Sequence, residues 1–314
     1  MVSLSIVIPV YNGAQSLREL TAQLTQTLPT LADQYEIIFV EDDGKDNSWE
    51  VLRQLVAEFP NVMALKHMRN YGQHNALLCG IREAHYDIIV TMDDDLQHPP
   101  SEIRKLLDKL GEGYDVVYGT PQREKHGLLR DLASQVTKLA LQSAMGVAVA
   151  RSVSAFRIFR TKLREAFDGY ESPVVNIDVL LTWGTTRFAA IPVQHIERPY
   201  GISNYTLRKL IVHALNMMTG FSTLPLQLAS LIGFVLTIFG ILILIYVVGR
   251  LLIETSVPGF PFLASIIAIF SGAQLFAIGI IGEYLARMHV RIMGRPSSVV
   301  REKLESVSAK EIVS

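Results

Sequence analysis

Two uncharged stretches, Leu224–Val248 and Pro258–Ile281, constrain this chain more than anything else in it. A hydrocarbon core of about 30 Å is crossed by about 20 helical residues at 1.5 Å each. Leu226–Val248 and Phe262–Ile281 each supply that length without an acidic or basic side chain. Two buried core helices are the soluble alternative, but no other part of the chain can wrap two such apolar elements. The pattern therefore predicts a two-helix transmembrane hairpin, antiparallel because the link Gly249–Pro261 is short. That link holds only Arg250 against Glu254, whereas Arg208 and Lys209 precede the first helix and Arg287, Arg291 and Arg295 follow the second. The positive-inside bias puts both chain ends in the cytoplasm and makes this an integral protein of the inner membrane.

The preceding residues follow another rhythm. Ser3–Pro9, Glu36–Val40, Asn61–Lys66, Asp87–Met92 and Asp115–Gly119 are short, apolar and rich in β-branched residues. Helical patterns over Ala14–Leu28, Trp49–Glu58, Gln73–Ala84 and Pro100–Leu110 separate them. This alternation predicts an α/β domain with a mostly parallel sheet buried on both faces. A helix over Leu128–Met145 and strands over Val153–Phe159 and Arg187–His195 follow. Thr206–Met218 mixes Arg208, Lys209 and His213 with Leu, Ile and Met, and reads as an amphipathic helix on the membrane surface or an ordinary surface helix; the spanning segment after it favours the former. The start of the chain has neither a basic leader nor a long apolar core, so it reads as a first strand and not as a signal peptide. The organisation expected is a domain over 1–205, a juxtamembrane helix in 206–223, two transmembrane helices over 224–288 and a cytoplasmic tail over 289–314. Lys and Arg number 29 against 30 Asp and Glu, so no net field points to a nucleic-acid partner. A single cysteine, Cys79, excludes an internal disulfide and a cysteine-built metal site.

Acidic and glycine-bearing loops follow the strands, where ligands of open α/β sheets sit. The sharpest is Thr91-Met-Asp93-Asp94-Asp95-Leu-Gln97-His98-Pro-Pro100. Adjacent carboxylates repel, and Mg²⁺ or Mn²⁺ relieves that repulsion while taking phosphate oxygens as well. Asp93 and Asp95 alternate along an extended backbone, with Gln97 as a further oxygen donor; an acidic turn without any metal is the plain alternative. Glu41–Asp46 can hydrogen-bond a ribose or base edge, or simply cap the helix at Trp49 through Asp46 or Ser48. In Asn70–Asn75, Gly72 permits close backbone approach to a ligand, and His74 is either a metal or phosphate contact or a structural residue. Arg123, Lys125, His126 and Arg130 suit phosphate recognition or an anionic membrane rim.

Taken in order, these motifs resemble the family 2 glycosyltransferases that load a sugar onto a polyprenyl phosphate, over about residues 3 to 296. The resemblance is carried by Val7-Ile8-Pro9-Val10-Tyr11-Asn12, Glu41–Asp46, Arg69-Asn70-Tyr71-Gly72-Gln73-His74, Asp93–Pro100, Gly201–Tyr205 and Gly282-Glu-Tyr-Leu-Ala-Arg287. It implies a GT-A type nucleotide-diphospho-sugar transferase domain in which Pro9 and Tyr11 line the nucleotide pocket and Asp42 contacts the base or ribose beside Glu41. Asp93 would shape the metal site, Asp95 and Gln97 would approach the Mg²⁺ or Mn²⁺ that bridges the donor diphosphate, and Asp94 would lie at the donor. Arg123 and Arg130 match the family's acceptor-phosphate arginines, Arg157 matches a further family arginine, and Arg198 and Asn204 belong to the acceptor loop. Four positions depart from the pattern. Gly13 replaces a common glutamate, the acidic turn lacks the usual Asp-Asp-Gly-Ser wording when aligned on Asp46, Arg151 replaces an aspartate, and Asn204 replaces the lysine of a Gly-x-Ser-Lys loop.

The reaction so implied moves a sugar from a nucleotide-sugar donor to a polyprenyl phosphate, with undecaprenyl phosphate the favoured acceptor and the cell envelope the destination. A phosphate monoester with a second pKa of about 6 is already ionised, so no general base is needed and single displacement with inversion is expected. A processive polysaccharide synthase is the enzymatic alternative, though its Gln-x-x-Arg-Trp signature is absent. Transfer to another membrane lipid or lipid-linked glycan, and a non-catalytic nucleotide-sugar-binding protein, are the others. Small residues Gly272 and Ala273 leave room for a homo-oligomer packed through the membrane helices.

Overall fold

The computed structural model describes residues 2–121, 152–196, 223–253 and 259–305. The helices expected over Leu128–Met145 and Thr206–Met218 lie outside the described residues. Within them the α/β alternation takes the form the sequence pattern asks for. Strands β1 (Ser3–Val10), β2 (Gln34–Glu41), β3 (Val62–His67) and β4 (Ile88–Thr91) alternate with helices α1 (Leu17–Thr27), α2 (Ser48–Glu58) and α3 (Gln73–Glu83). Helix α4 (Ile103–Gly111) leads to β5 (Val116–Pro121), and β6 (Arg157–Arg160), helix α5 (Ile177–Gly184) and β7 (Phe188–Val193) complete the first part of the sheet. Two long helices follow, α6 (Leu224–Ile253) and α7 (Phe260–Ile292), and then strand β8 (Val300–Leu304).

The sheet order is β7-β5-β6-β4-β1-β2-β3-β8. Strand β1 lies between parallel partners β2 and β4, and β2 pairs in parallel with β3. Strand β6 runs antiparallel between β4 and β5 and is the main break in the parallel pattern. It begins at Arg157, four residues later than the apolar run at Val153 suggests. Side chains alternate across the sheet, so each face buries its own cluster. Ile6, Ile8 and Phe39 pack with Leu20, Leu52 and Leu106 from α1, α2 and α4 on one face. Val7, Ile38 and Val40 pack with Leu77, Ile81 and Leu180 from α3 and α5 on the other. The chain is therefore a three-layer α/β/α sandwich followed by two long helices, the fold the resemblance implies.

Proline is normally excluded from central strands, and Pro9 shows why it is tolerated here. Strand β4 pairs with β1 only as far as Val7 opposite Thr91, and Met92 N–H closes that edge on the Val7 carbonyl at 3.3 Å. Beyond this point the chain leaves the sheet for the acidic turn, so the N–H that Pro9 lacks has no partner strand to serve. The same divergence opens a crevice at the carboxyl end of β1.

Helices α6 and α7 contain apolar stretches, Pro225–Ile243 and Ile269–Ile292, long enough to cross a membrane. Almost none of either stretch is buried against the rest of the protein, which separates them from soluble core helices. Gly240 faces the Phe270 ring, where an added Cβ would come within 2.9 Å, so the glycine lets the two helices approach. Helix α7 runs past the apolar run ending at Ile281, through Glu283 and Arg287, which pair one turn apart at 2.8 Å.

Strand β8 was not legible from its pattern. It pairs antiparallel with β3, covering what is otherwise an exposed sheet edge. Met68 N–H donates to the Val299 carbonyl at 2.9 Å, and Arg53–Glu302 and Lys303–Glu83 ion pairs of 2.8 and 2.6 Å flank the strand. The sheet thus contains residues from before and after the two long helices. Any membrane crossed by α6 and α7 must leave residues 2 and 305 on the same side. Single cysteines at Val2 and Glu305, with the buried Cys79 silent, test this in sealed vesicles with an impermeant maleimide. Both sites are expected to label together or be protected together; opposite labelling would contradict the β3–β8 pairing.

Candidate active site

The loops after β1, β2 and β4 meet over the crevice, and hydrogen bonds tie the first two together. Asn12, in a left-handed conformation at φ 56°, accepts from Lys45 N–H at 2.7 Å through Oδ1. Gly13 N–H donates to Ser48 Oγ at 3.0 Å, and Ala14 N–H donates to Asp46 Oδ2 at 2.9 Å. Asp46 Oδ1 also accepts from the Ser48 hydroxyl at 2.6 Å. The N-cap of α2 is Asn47, without a side-chain capping bond, and not Asp46 or Ser48 as expected; Asp46 instead accepts from Ser48 N–H at 3.1 Å and ties the two loops together. Asp43 takes φ 54°, a left-handed conformation uncommon for a residue that bears a side chain.

A cavity of about 250 Å³ lies between these loops. Its walls are the end of β1 (Pro9, Val10, Tyr11), the loop before α3 (Asn70, Gly72, Gln73), Asp42, and the acidic turn Asp93, Asp94 and Asp95. Four carboxylates line it, and among the described residues no Lys, Arg or His does. Asp42, almost wholly buried, accepts from Tyr71 N–H at 2.9 Å and from Gly72 N–H at 2.7 Å. Gly72 holds φ 97°, which side-chain-bearing residues rarely adopt, and this aims its N–H at the carboxylate. Gln73, the first residue of α3, donates its amide to Asp93 Oδ1 at 2.6 Å. Asp95 Oδ1 accepts from Gln97 N–H at 3.1 Å, which closes the acidic turn around Leu96 at φ 62°.

Beneath that turn, His98 stacks on Phe156 with ring centroids 5.1 Å apart and meets His195 edge-on at the same distance. Burial, helped by the neighbouring His195, pushes the His98 pKa down to about 4, so the turn rests on a neutral ring at neutral pH. Burial also raises the Glu41 carboxyl above its usual range.

A model of "Glycosyl transferase family 2" matches residues 5–168. The chain belongs to this family. Among curated relatives of this family 2 glycosyltransferase, the undecaprenyl-phosphate 4-deoxy-4-formamido-L-arabinose transferase of Pseudomonas fluorescens (strain SBW25) is 35% identical over 309 residues, which cover 97% of this chain and 91% of the relative. A protein of the same name from Klebsiella pneumoniae (strain 342) is 35% identical over 315 residues, 98% of this chain and 96% of the relative. Among solved structures, mannosyl-3-phosphoglycerate synthase from Rubrobacter xylanophilus covers 68% of this chain and 70% of its own at 16% identity and a TM-score of 0.47, too distant to carry an argument.

In this glycosyltransferase the structure brings Pro9, Tyr11, Asp42, Asp93, Asp94 and Asp95 to one cavity. Gln97 belongs to the same turn but does not line the cavity. Glu41 also stays out of the lining; its Oε1 accepts from Gly44 N–H within its own turn. Arg157 lies beneath the site, buried, in an ion pair with Asp178, which also accepts from the Tyr118 hydroxyl at 3.1 Å. His74 takes the structural option, its Nδ1 accepting from Ile177 N–H at 3.3 Å and so holding the start of α5. Asn176 caps that helix by accepting from Val179 N–H at 3.0 Å, an Asn before an apolar run that marks α5 in the sequence. Arg123, Arg130, Arg151, Arg198 and Asn204 lie outside the described residues.

At Gly13 the space for a side chain is occupied by Asp94. A Cβ at this position would lie 2.0 Å from Asp94 Oδ2 and 3.0 Å from its Cγ, so the Asp94 carboxylate fills the space in which a residue-13 side chain would begin. Gly13→Ala is expected to turn the Asp94 carboxylate out of this space and cost about 0.5–1.5 kcal/mol, measured as a lowered melting temperature in detergent. In an Asp94→Ala background the same change should cost almost nothing. Equal costs in both backgrounds would show that the two residues do not compete for this space.

Proposed function

We propose that this family 2 glycosyltransferase transfers a sugar from a nucleoside-diphosphate sugar to the phosphate of a polyprenyl phosphate at a membrane surface. The supporting observation is the cavity itself. Four carboxylates and no cationic side chain among the described residues line it, at the carboxyl ends of parallel strands. A diphosphate entering such a site unaided would be repelled at close range. Mg²⁺ or Mn²⁺ removes that conflict, and the residues fit such an ion chemically, with carboxylate oxygens at Asp93 and Asp95 and the Gln97 amide in the same turn. Among the described residues no three acidic, His or Cys groups form a ready-made cage. That is consistent with a hard cation that completes its coordination with phosphate oxygens and water.

The roles of the chain's own residues follow from their placement. Asp42 offers an acceptor to the nucleoside, and Pro9 and Tyr11 supply the wall against which it rests. The Gln73 side chain holds Asp93, and the Gln97 backbone N–H holds Asp95, so that both carboxylates are oriented before the donor arrives. When bound, the divalent cation stabilises negative charge on the departing nucleoside diphosphate. The glycosidic C1–O bond to the diphosphate breaks as a bond forms from C1 to an acceptor phosphate oxygen, inverting the anomeric centre. No proton needs to leave the acceptor, because its phosphate is ionised above a pKa of about 6. Arg123, Arg130, Arg198 and Asn204 are the residues we assign to that phosphate, with Arg157 acting from below through its ion pair.

The relatives' shared name supports undecaprenyl phosphate as the acceptor and 4-deoxy-4-formamido-L-arabinose as the first sugar to test. Helices α6 and α7 support a membrane-embedded anchor that keeps the cavity near the lipid headgroup, and the charge bias of the sequence supports a sheet on the cytoplasmic side. The test is full-length enzyme in detergent with undecaprenyl phosphate, Mn²⁺ and a panel of nucleotide-sugars, read by mass spectrometry. A monoglycosyl phospholipid is expected that is lost with EDTA and falls about 100-fold or more in Asp95→Ala. A product that survives both treatments would contradict the role given to the acidic turn, and a longer glycan would favour a processive enzyme.

A further inference from the structure

Strand β3 ends at His67, whose side chain is wholly buried beside the donor cavity. Its Nδ1 lies 2.7 Å from Asp42 Oδ1. Two backbone amides, Tyr71 N–H and Gly72 N–H, already donate to this carboxylate, which marks it as an acceptor and makes Nδ1–H the donor. The other ring nitrogen, Nε2, is buried and has no hydrogen-bond partner among the described residues. Leaving a buried ring nitrogen without a partner is costly, so the hydrogen bond made by the other nitrogen is what holds the imidazole here.

A carboxylate has about four acceptor positions. His67 and Tyr71 N–H occupy those of Oδ1, and Gly72 N–H takes one on Oδ2. One position on Oδ2 is left for the cavity that Asp42 lines. The His67 ring also meets Tyr71 edge-on at 5.3 Å, so the same residue braces both the carboxylate and the loop whose amides hold it. We propose that His67 is a positioning residue for donor recognition: it fixes Asp42 so that a single acceptor faces the nucleoside. This rests on the reading of the cavity as the donor site and adds a residue that touches no ligand itself.

The test compares full-length wild type with His67→Leu, His67→Phe and His67→Asn in detergent. Calorimetry with Mn²⁺ measures binding of uridine or guanosine diphosphate, whichever wild type binds more tightly. His67→Leu lacks the donor, and His67→Phe keeps a ring against Tyr71 but also lacks it. Both are expected to weaken the nucleotide about tenfold, the loss of one charge-assisted hydrogen bond. Donor KM should rise by the same factor while kcat and acceptor KM stay within about twofold. His67→Asn, which keeps an N–H close to the same place, should recover most of the loss. Should the Leu variant not fold, the Phe and Asn pair gives the same comparison. Wild-type affinity in His67→Phe, or equal loss of kcat and acceptor KM without rescue by Asn, would overturn the proposal and leave the donor reading intact. Failure of wild type to bind either nucleotide would overturn the donor reading and this proposal together.

Discussion

Strand β1 is hydrogen-bonded in parallel to β2 on one side and to β4 on the other, and the rest of the site depends on that arrangement. Parallel pairing sends the carboxyl ends of all three strands to one edge of the sheet. Glu41 stands opposite Val10 and Thr91 opposite Val7, so the acidic residues that follow β2 and β4 emerge within a few residues of each other. Carboxylates far apart in the sequence, Asp42 and Asp93–Asp95, therefore converge at the ends of neighbouring strands. The cost of that convergence is electrostatic, and it is met partly by backbone and side-chain donors: Tyr71 and Gly72 amides at Asp42, the Gln73 amide at Asp93, and Gln97 N–H at Asp95.

The same geometry links the cavity to the two long helices. Helix α3 begins at Gln73, which holds Asp93, and near its other end Arg82 donates to the carbonyls of Asp168 and Tyr170 at 3.0 and 2.9 Å. Arg291, in the last turn of α7, lies over the Tyr170 ring at 5.6 Å. Strand β8 then joins the sheet beside β3, the strand that carries His67. The sheet and the end of α7 are thus fastened to each other at several points, which suits the proposed transfer to a lipid phosphate.

Much of this was legible in the sequence because it rests on local patterns. Apolar runs at Ser3–Pro9 and Glu36–Val40 mark strands, and the acidic turn at Asp93–Asp95 marks a wall of the crevice. What escaped depends on partners distant in the chain. Strand β8 is short and carries Arg301, Glu302 and Lys303, and only its pairing with β3 makes it a strand. His67 gave no signal because its meaning lies in Asp42, 25 residues earlier. Arg157 was readable as an arginine of the family but not as the buried partner of Asp178, on a helix that packs against the far side of the sheet. Gly13 was visible as a missing glutamate and Asp94 as one of three adjacent carboxylates. Their competition for one volume needed three dimensions.

At the centre stands the claim that the carboxylate-lined cavity accepts a nucleoside diphosphate only together with a divalent cation. The most direct measurement is calorimetric titration of the wild-type full-length protein with uridine diphosphate, once with Mn²⁺ and once with EDTA. We expect saturable binding with the cation and none measurable without it, since four carboxylates line the site and no cationic side chain among the described residues offsets them. Binding of equal affinity in EDTA would contradict the claim, because the diphosphate would then be held by something other than a metal at Asp93 and Asp95.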